Sequence, residues 1–495
     1  MNQYMKAGAL SLLAGACTIA LAHDHDDYRY HHRHNHADFG GQVEKLARIQ
    51  SKELFGVYAP LGDSSAASIT ADQAHSDPKV LVTVARGLKV SVVSAKAELG
   101  ANIDMMALWP NDVHPTHIIG CNEQGSGQVG VQRIRLSNGA VENIIASGLT
   151  SCDPVEITAW GTIVAGEEAG TSGRMFEILD PLNTTNVTVT GSGAATATSD
   201  PAHVRFLGAL GQLSFEGISV LPNGVVYYQD ENRPSASIPG GGYFKFIPTN
   251  VWTGGAAITN LDASPLASGT IYGLRLGRNS GGTDIGLGNH AGRGRWIAIG
   301  QSTNAAPLNL RSGPEVKAQW PLAAGYRPED QDIDKGALED GFVRVCGTNT
   351  GQDITDVDSD GGNFFGETFC ITDGTPAEAA ANTAIPEYQL LISHFPDFGM
   401  PDNIAYQPGK GNWLIHEDGE GATYSPRRNN DIWSCLDDGD DADMLSDACV
   451  KVITLNDLAA ESTGGVFDAD GDAYFFSVQH NVTGHGVIVK VTGWK

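Results

Sequence analysis

The sequence is poor in positive charge. Its 31 lysines and arginines stand against 58 aspartates and glutamates, a formal net charge of −27. A surface of that sign repels nucleic acid and anionic membranes, because phosphate polymers are held by clustered Lys and Arg. Beyond the first two dozen residues there is no long apolar run, and a membrane helix needs about 20 such residues. No Ser nucleophile elbow, P-loop or dinucleotide fingerprint stands at a strand-to-helix junction, which argues against the common hydrolase and nucleotide-dependent classes. Amphipathic helical patterns are scarce: the spacing of Val43, Leu46 and Ile49 predicts one helix over 43–53. No Pro- or Ser-rich linker divides the chain.

What is present begins with the compartment. Lys6 precedes an apolar run from Ala7 to Ala22, closed by Ala20-Leu21-Ala22. This is the layout of a secretory signal peptide over 1–22, cleaved after Ala22, so a periplasmic or secreted protein is expected. Cys17 stands in a poor lipobox, and without it six cysteines remain: Cys121, Cys152, Cys346, Cys370, Cys435 and Cys449. An even number in an oxidising compartment suggests up to three bridges, with Cys346–Cys370 and Cys435–Cys449 the simplest pairs. Cys121 and Cys152 either form the third or leave Cys152 free to hold a metal. Residues 23–41 carry His23, His25, His31, His32, His34 and His36, which suits either a loose metal-binding tail or a disordered spacer.

From about residue 80 onward, short β-branched and aromatic runs are punctuated by Gly, Pro, Asn and Asp. A two-strand phrase recurs: a polar pair, an alternating strand, a Gly turn, and a second strand ending in acid or amide. One copy runs from Phe215-Glu216 to Asp230-Glu231, another from Pro401-Asp402-Asn403 to Glu417-Asp418, and a third from Thr463 to Gln479-His480. A fourth starts at Pro328-Glu329-Asp330, and Gly161 to Glu167-Glu168 forms half of a fifth. Such repetition predicts an all-β fold, a β-propeller forming one domain over 42–495 with loop insertions. In a hairpin, the start of the first strand and the end of the second lie together. Blades sharing an axis then bring carboxylates to one mouth of the channel.

Five further phrases stand in order along the chain: Trp160-Gly161-Thr162 with Glu167-Glu168, Ser214-Phe215-Glu216-Gly217, Arg327-Pro328-Glu329-Asp330, Met400-Pro401-Asp402-Asn403 and Gln479-His480-Asn481. In wording and order they resemble the phrases of the PhoX-like alkaline phosphatase family. Ala159, Gly166 and Phe215 depart from its pattern, and no Asp-containing stretch precedes Cys152. The resemblance implies a six-bladed propeller phosphatase that uses Ca2+ and Fe3+ on phosphate monoesters. By that carry-over Cys152, Glu168, Glu216, Glu329, Asp402 and Asn403 are metal ligands, and Arg327 grips phosphate beside Glu329. Carboxylates and an Asn carbonyl suit calcium, thiolate suits iron, and Arg suits phosphate oxygens.

Two loops add candidates. Asp356, Asp358 and Asp360 with Glu367 have calcium-loop spacing, without the entering helix of an EF-hand. Arg427 and Arg428 precede Asp437-Asp438, and Arg427 is a candidate substrate contact, although a solvated loop pinned by Cys435–Cys449 fits equally. The expected partner is a small phosphate ester, bound by a monomer. The competing readings are a calcium-dependent lactonase or phosphodiesterase, and a non-catalytic secreted propeller with structural calcium.

Overall fold

The computed structural model describes residues 44–191, 197–233, 240–276, 291–311, 322–351, 366–393, 398–419, 424, 427–437 and 445–495. The expected signal peptide, the His-rich tail and Asp356, Asp358 and Asp360 lie outside the described residues. Among the described residues, no helix is long and apolar enough to cross a membrane. The helical spacing near the N-terminus gives two short helices, Glu44–Ile49 and Ser51–Leu54. Among the described residues that follow, the regular structure is mainly antiparallel sheet, with three further short helices, Ala71–Ser76, Lys335–Glu339 and Pro376–Ala381.

The turn chemistry explains the hairpins. Gly224 sits at φ +87° and donates its N–H to the Leu221 carbonyl, while the Asn223 side chain accepts the N–H of Val225. At Gly471 (φ +70°) a Cβ would stand 2.3 Å from the Pro408 carbonyl, so that turn also requires glycine.

Six strands form the innermost layer: Ile103–Trp109, Cys152–Ile157, Phe215–Val220, Pro328–Ile333, Pro401–Gln407 and Glu461–Phe467. Each lies beside the next, and the last lies beside the first, so they close a ring. Neighbouring inner strands approach closely. A Cβ on Gly217 would meet the Gln331 nitrogen at 2.1 Å. Each inner strand begins a sheet that runs outward, and the apolar core fills the wedges between sheets.

The arrangement is propeller-like, but hydrogen bonding does not delimit six separate blades. Four sheets of four or five strands are separate, and the fifth has ten strands. That sheet carries an inner strand at each end, and its halves meet where Gly292 and Arg293 pair with Tyr388 and Glu387.

Two sheets made of late residues are completed by early ones. Val82–Val84 pairs with Cys449–Leu455, and Lys89–Ser94 pairs with Val487–Thr492. Removing residues 44–94 is therefore expected to open the ring. Limited proteolysis should then cut within 449–495, and the thermal midpoint should fall by several degrees, since each kcal/mol lost moves a large domain by about 2 °C. An unchanged midpoint would show that closure does not depend on these strands.

Candidate active site

One local irregularity places the acids. In five of the six inner strands the register with the second strand slips by one residue, just after the first pair: Ile103↔Asn122, Cys152↔Glu167, Phe215↔Asp230, Pro328↔Asn349 and Pro401↔Glu417. A bulge of this kind re-aims the side chain at its first position. Those positions hold Asp104, Asp153, Glu216, Glu329 and Asp402, and all five line one cavity of about 310 Å³. In the sixth strand the slip follows Thr463 and its first position is Gly464, so Glu461 supplies the acid from the strand's start.

The ends of the second strands bring more. Glu123, Glu168, Glu231 and Asp418 complete a lining of ten carboxylates, with Gln479 and His480 from the last hairpin. Asp402, Asp418 and Glu461 each bring an oxygen within 4.8 Å of the others. Gln479 Nε2 donates to Asp104 at 3.2 Å and to Glu461 at 2.9 Å, while its Oε1 is buried without a hydrogen bond.

Burial together with this crowding pushes the carboxyls up. Burial is the larger cause for Glu123, raised to about 7, with Asp153 the next contributor. Burial likewise raises Asp153 to about 6, and it raises Glu168 to about 9 with help from Glu231. Asp104, Glu216, Glu329, Asp402 and Glu461 are all held well above the carboxylate range, first by burial and then by their neighbours. Without cations, such a cluster takes up protons.

Two arginines line the cavity: Arg233 is exposed, and Arg327 is held among the acids. Arg327 reaches Glu329 Oε1 through Nη2 at 2.8 Å, Glu231 Oε1 through Nε at 2.9 Å, and Asp418 at 3.9 Å. Burial opposes its charge, yet Glu329 and Glu231 outweigh that and hold it firmly protonated. Its backbone is left-handed at φ +57°, as are Met400 (+52°) and His480 (+54°), which also line the cavity. Non-glycine residues forced into that region concentrate at functional sites.

The sequence matches the family model of alkaline phosphatase PhoX over residues 125–481. The chain belongs to the PhoX family. PhoX of Pseudomonas fluorescens in complex with vanadate, a transition state analogue, is similar in fold: 15% identity, TM-score 0.58, covering 88% of this chain and 98% of that one. A structural genomics protein of Bacteroides thetaiotaomicron (11% identity, 82% and 76% covered) and a glucose dehydrogenase (10%, 81% and 99%) reach TM-scores of only 0.37 and 0.39. No curated protein matches the sequence.

Set against the PhoX pattern, the expected site residues divide. Glu168, Glu216, Glu329, Asp402 and Arg327 share the cavity. Cys152 does not offer a thiolate, because it is joined to Cys121, and a disulfide sulfur has no free charge to give a metal. Cys346–Cys370 and Cys435–Cys449 are the other two bridges. Asn403 occupies the second bulge position and is absent from the cavity lining; its Nδ2 donates to Met105 Sδ at 3.4 Å, and its Oδ1 is buried without a hydrogen bond. Arg427 is exposed and absent from the lining; its neighbour Arg428 turns inward instead. Glu367 is buried against Asn349 Nδ2 at 2.8 Å, and burial raises it to about 7. Asp104, Glu123, Asp153, Glu231, Asp418 and Glu461 were not among the expected ligands. Apart from Glu461, which starts its strand, their signal was positional: the residue after the first inner-strand pair, and the second of two adjacent polar residues ending the next strand.

The linkage of these carboxyls to stability has a definite sign. Folded values raised above the unfolded value of about 4 mean that the folded state holds extra protons. In metal-free protein, that contribution is full below about pH 4 and is lost as pH rises through about 6, 7 and 9 for Asp153, Glu123 and Glu168. Thermal unfolding in chelator is expected to show a midpoint that falls from pH 5 to pH 9, with calcium raising it most at the alkaline end. A midpoint in chelator that climbs over that range would contradict the cluster's electrostatics. Separately, replacing Cys121 and Cys152 together by Ala should cost about 3–4 kcal/mol of stability, the value for a loop of this length. Calcium content of the folded variant should not change. Lost metal without lost stability would restore a ligand role to Cys152.

Proposed function

We propose that the chain is an exported phosphatase that hydrolyses phosphate monoesters at calcium held by the carboxylate ring. Family membership supports the phosphatase class, and three disulfides suit an oxidising compartment. On this reading the ring is a six-bladed propeller in one domain over 42–495, with the ten-stranded sheet counting as two blades joined at their outer edges.

The observation that carries the proposal is Arg327, its side chain 14% exposed and set among ten acids, while Arg233, the other arginine of the lining, is exposed. A metal held only for rigidity needs no guanidinium in its shell. The donors fit calcium, which takes six to eight oxygens: Asp402, Asp418 and Glu461 supply one group, and Asp153, Glu168, Glu216 and Glu329 line the same cavity. Iron held by a thiolate does not fit, since Cys152 is in a bridge. Calcium, when bound, would supply the positive charge that lets a dianionic ester enter an acidic cavity.

The chain's own residues then bind and orient. Nε of Arg327 donates to Glu231 Oε1 at 2.9 Å, and its Nη2 forms an ion pair with Glu329, so the guanidinium is held among the acids. A planar fork held this way presents paired donors to phosphate oxygens, and it meets the charge that develops on them without reorganising. Burial of the cavity floor excludes water from the remaining contacts and strengthens each one.

Metal analysis of protein purified without chelator, paired with a chromogenic phosphomonoester assay, tests the reading. Arg327→Lys keeps the charge and loses the fork, so turnover should drop on the order of 10²–10³ with calcium content unchanged. Glu329→Gln should lower calcium content and turnover together. A calcium-loaded parent that releases no phosphate would end the proposal.

A further inference from the structure

Three second strands end in adjacent acids that behave differently: Glu167-Glu168, Asp230-Glu231 and Glu417-Asp418. The second of each pair lines the cavity, and the first is buried behind it with at most 1% exposure. Each first acid is gripped by an arginine through two nitrogens. Arg174 reaches Glu167 at 2.6 and 2.5 Å, and Arg311 reaches Asp230 at 2.8 and 2.9 Å. Arg428 reaches Glu417 Oε1 at 2.8 Å through Nη2 and Oε2 through Nη1.

These arginines follow their acids by 7, 81 and 11 residues. Unrelated stretches of chain thus deliver the same group to the same place, which the repeat alone does not explain. The gripped acid in turn accepts a backbone N–H from the turn leading into the inner strand: Thr150 to Glu167 at 2.8 Å, Ser214 to Asp230 at 2.8 Å, and Gly399 to Glu417 at 3.2 Å. The cavity acid beside it closes the same turn with its own N–H, from Glu168 to the Ser151 carbonyl (2.8 Å), Glu231 to Ser214 (3.2 Å) and Asp418 to Met400 (2.8 Å).

We propose that Arg174, Arg311 and Arg428 are positioning residues for the calcium cluster, each locking a buried acid so that Glu168, Glu231 and Asp418 point into the cavity at fixed angles. The inference rests on the calcium reading given above. The first hairpin shows what the locked group does. There Asn122 stands in the acid's place: its Oδ1 accepts the Asn102 N–H at 3.1 Å, its Nδ2 donates to the Val129 carbonyl at 2.7 Å, and Glu123 follows it into the cavity. A neutral amide suffices where its own two ends are tied. The position therefore needs fixed hydrogen bonds rather than charge, and an acid meets that need only when an arginine holds both its oxygens.

Charge and position predict opposite signs. Deleting a cation near a calcium site tightens binding if only charge matters. It weakens binding if the ligand acids lose their aim, and outer-shell partners of metal ligands are commonly worth ~10–100-fold in affinity. Calcium titration calorimetry on the full chain, with Arg428→Met and Arg311→Met, should show affinity weakened by ~10–100-fold. Arg428→Lys, which keeps the charge and serves if the methionine variants do not fold, should weaken it by ~10-fold. The thermal midpoint in chelator reports folding independently. Unchanged or tighter calcium binding by folded variants overturns the inference while leaving the calcium reading intact. A parent that binds no calcium overturns both.

Discussion

Like charges confined in a buried cavity repel, and this repulsion is the condition the rest of the structure answers. Two ionised oxygens at the 4.8 Å limit found for Asp402, Asp418 and Glu461 repel by about 3–4 kcal/mol at an effective dielectric near 20. Ten acids multiply that load. The carboxyls are raised by burial first and by their acidic neighbours next, which favours a proton or a cation there. A cluster of this kind survives only on a scaffold that cannot relax outward, and a ring of strands tied to its own ends is such a scaffold. The Cys121–Cys152 bridge adds a covalent tie between two neighbouring sheets at the level of Asp153 and Glu123.

The ring also aims the charges. Regular strand alternation sends successive side chains to opposite faces, into the wedges between sheets. The slip after the first pair breaks that alternation once per strand and turns a single acid toward the axis. Where Gly464 takes the position, its Cβ would stand 2.1 Å from the Asp104 carbonyl, so the inner strands are too close there for any side chain. Glu461 then serves from three residues earlier. The same acid function is met by two local solutions, each imposed by how near the neighbouring strand lies.

Much of this was legible in the sequence, for identifiable reasons. Turn residues such as Gly224 and Gly471 mark hairpins by their own conformational needs, and the polar phrases at each strand's start and end share a mouth by hairpin geometry. Glu216, Glu329 and Asp402 could thus be placed together. The slips were not legible, because nothing in Cys152-Asp153-Pro154 or Asp402-Asn403 states which side chain faces the axis. The family phrase implies Asn403 as a ligand and does not single out Asp153, whereas Asp153 takes the first bulge position and lines the cavity. The choice between Arg427 and Arg428 is of the same kind: adjacent arginines are equivalent until Glu417 and Tyr424 select one, and Arg428 lies 3.7 Å above the Tyr424 ring. The pairing of Cys152 depended on a contact between two sheets, which the sequence left open.

The closure by Val82–Val84 and Lys89–Ser94 bears on when the site comes into being. The first inner strand, Ile103–Trp109, and the last, Glu461–Phe467, are neighbours on the ring, and the sheets beside them need residues from both ends of the chain. A chain emerging N-terminus first can build its middle sheets early. The acids meet only after the last hairpin is made. The complete lining therefore needs the chain through Gln479 and His480, so the full set of acids exists only once that last hairpin is in place.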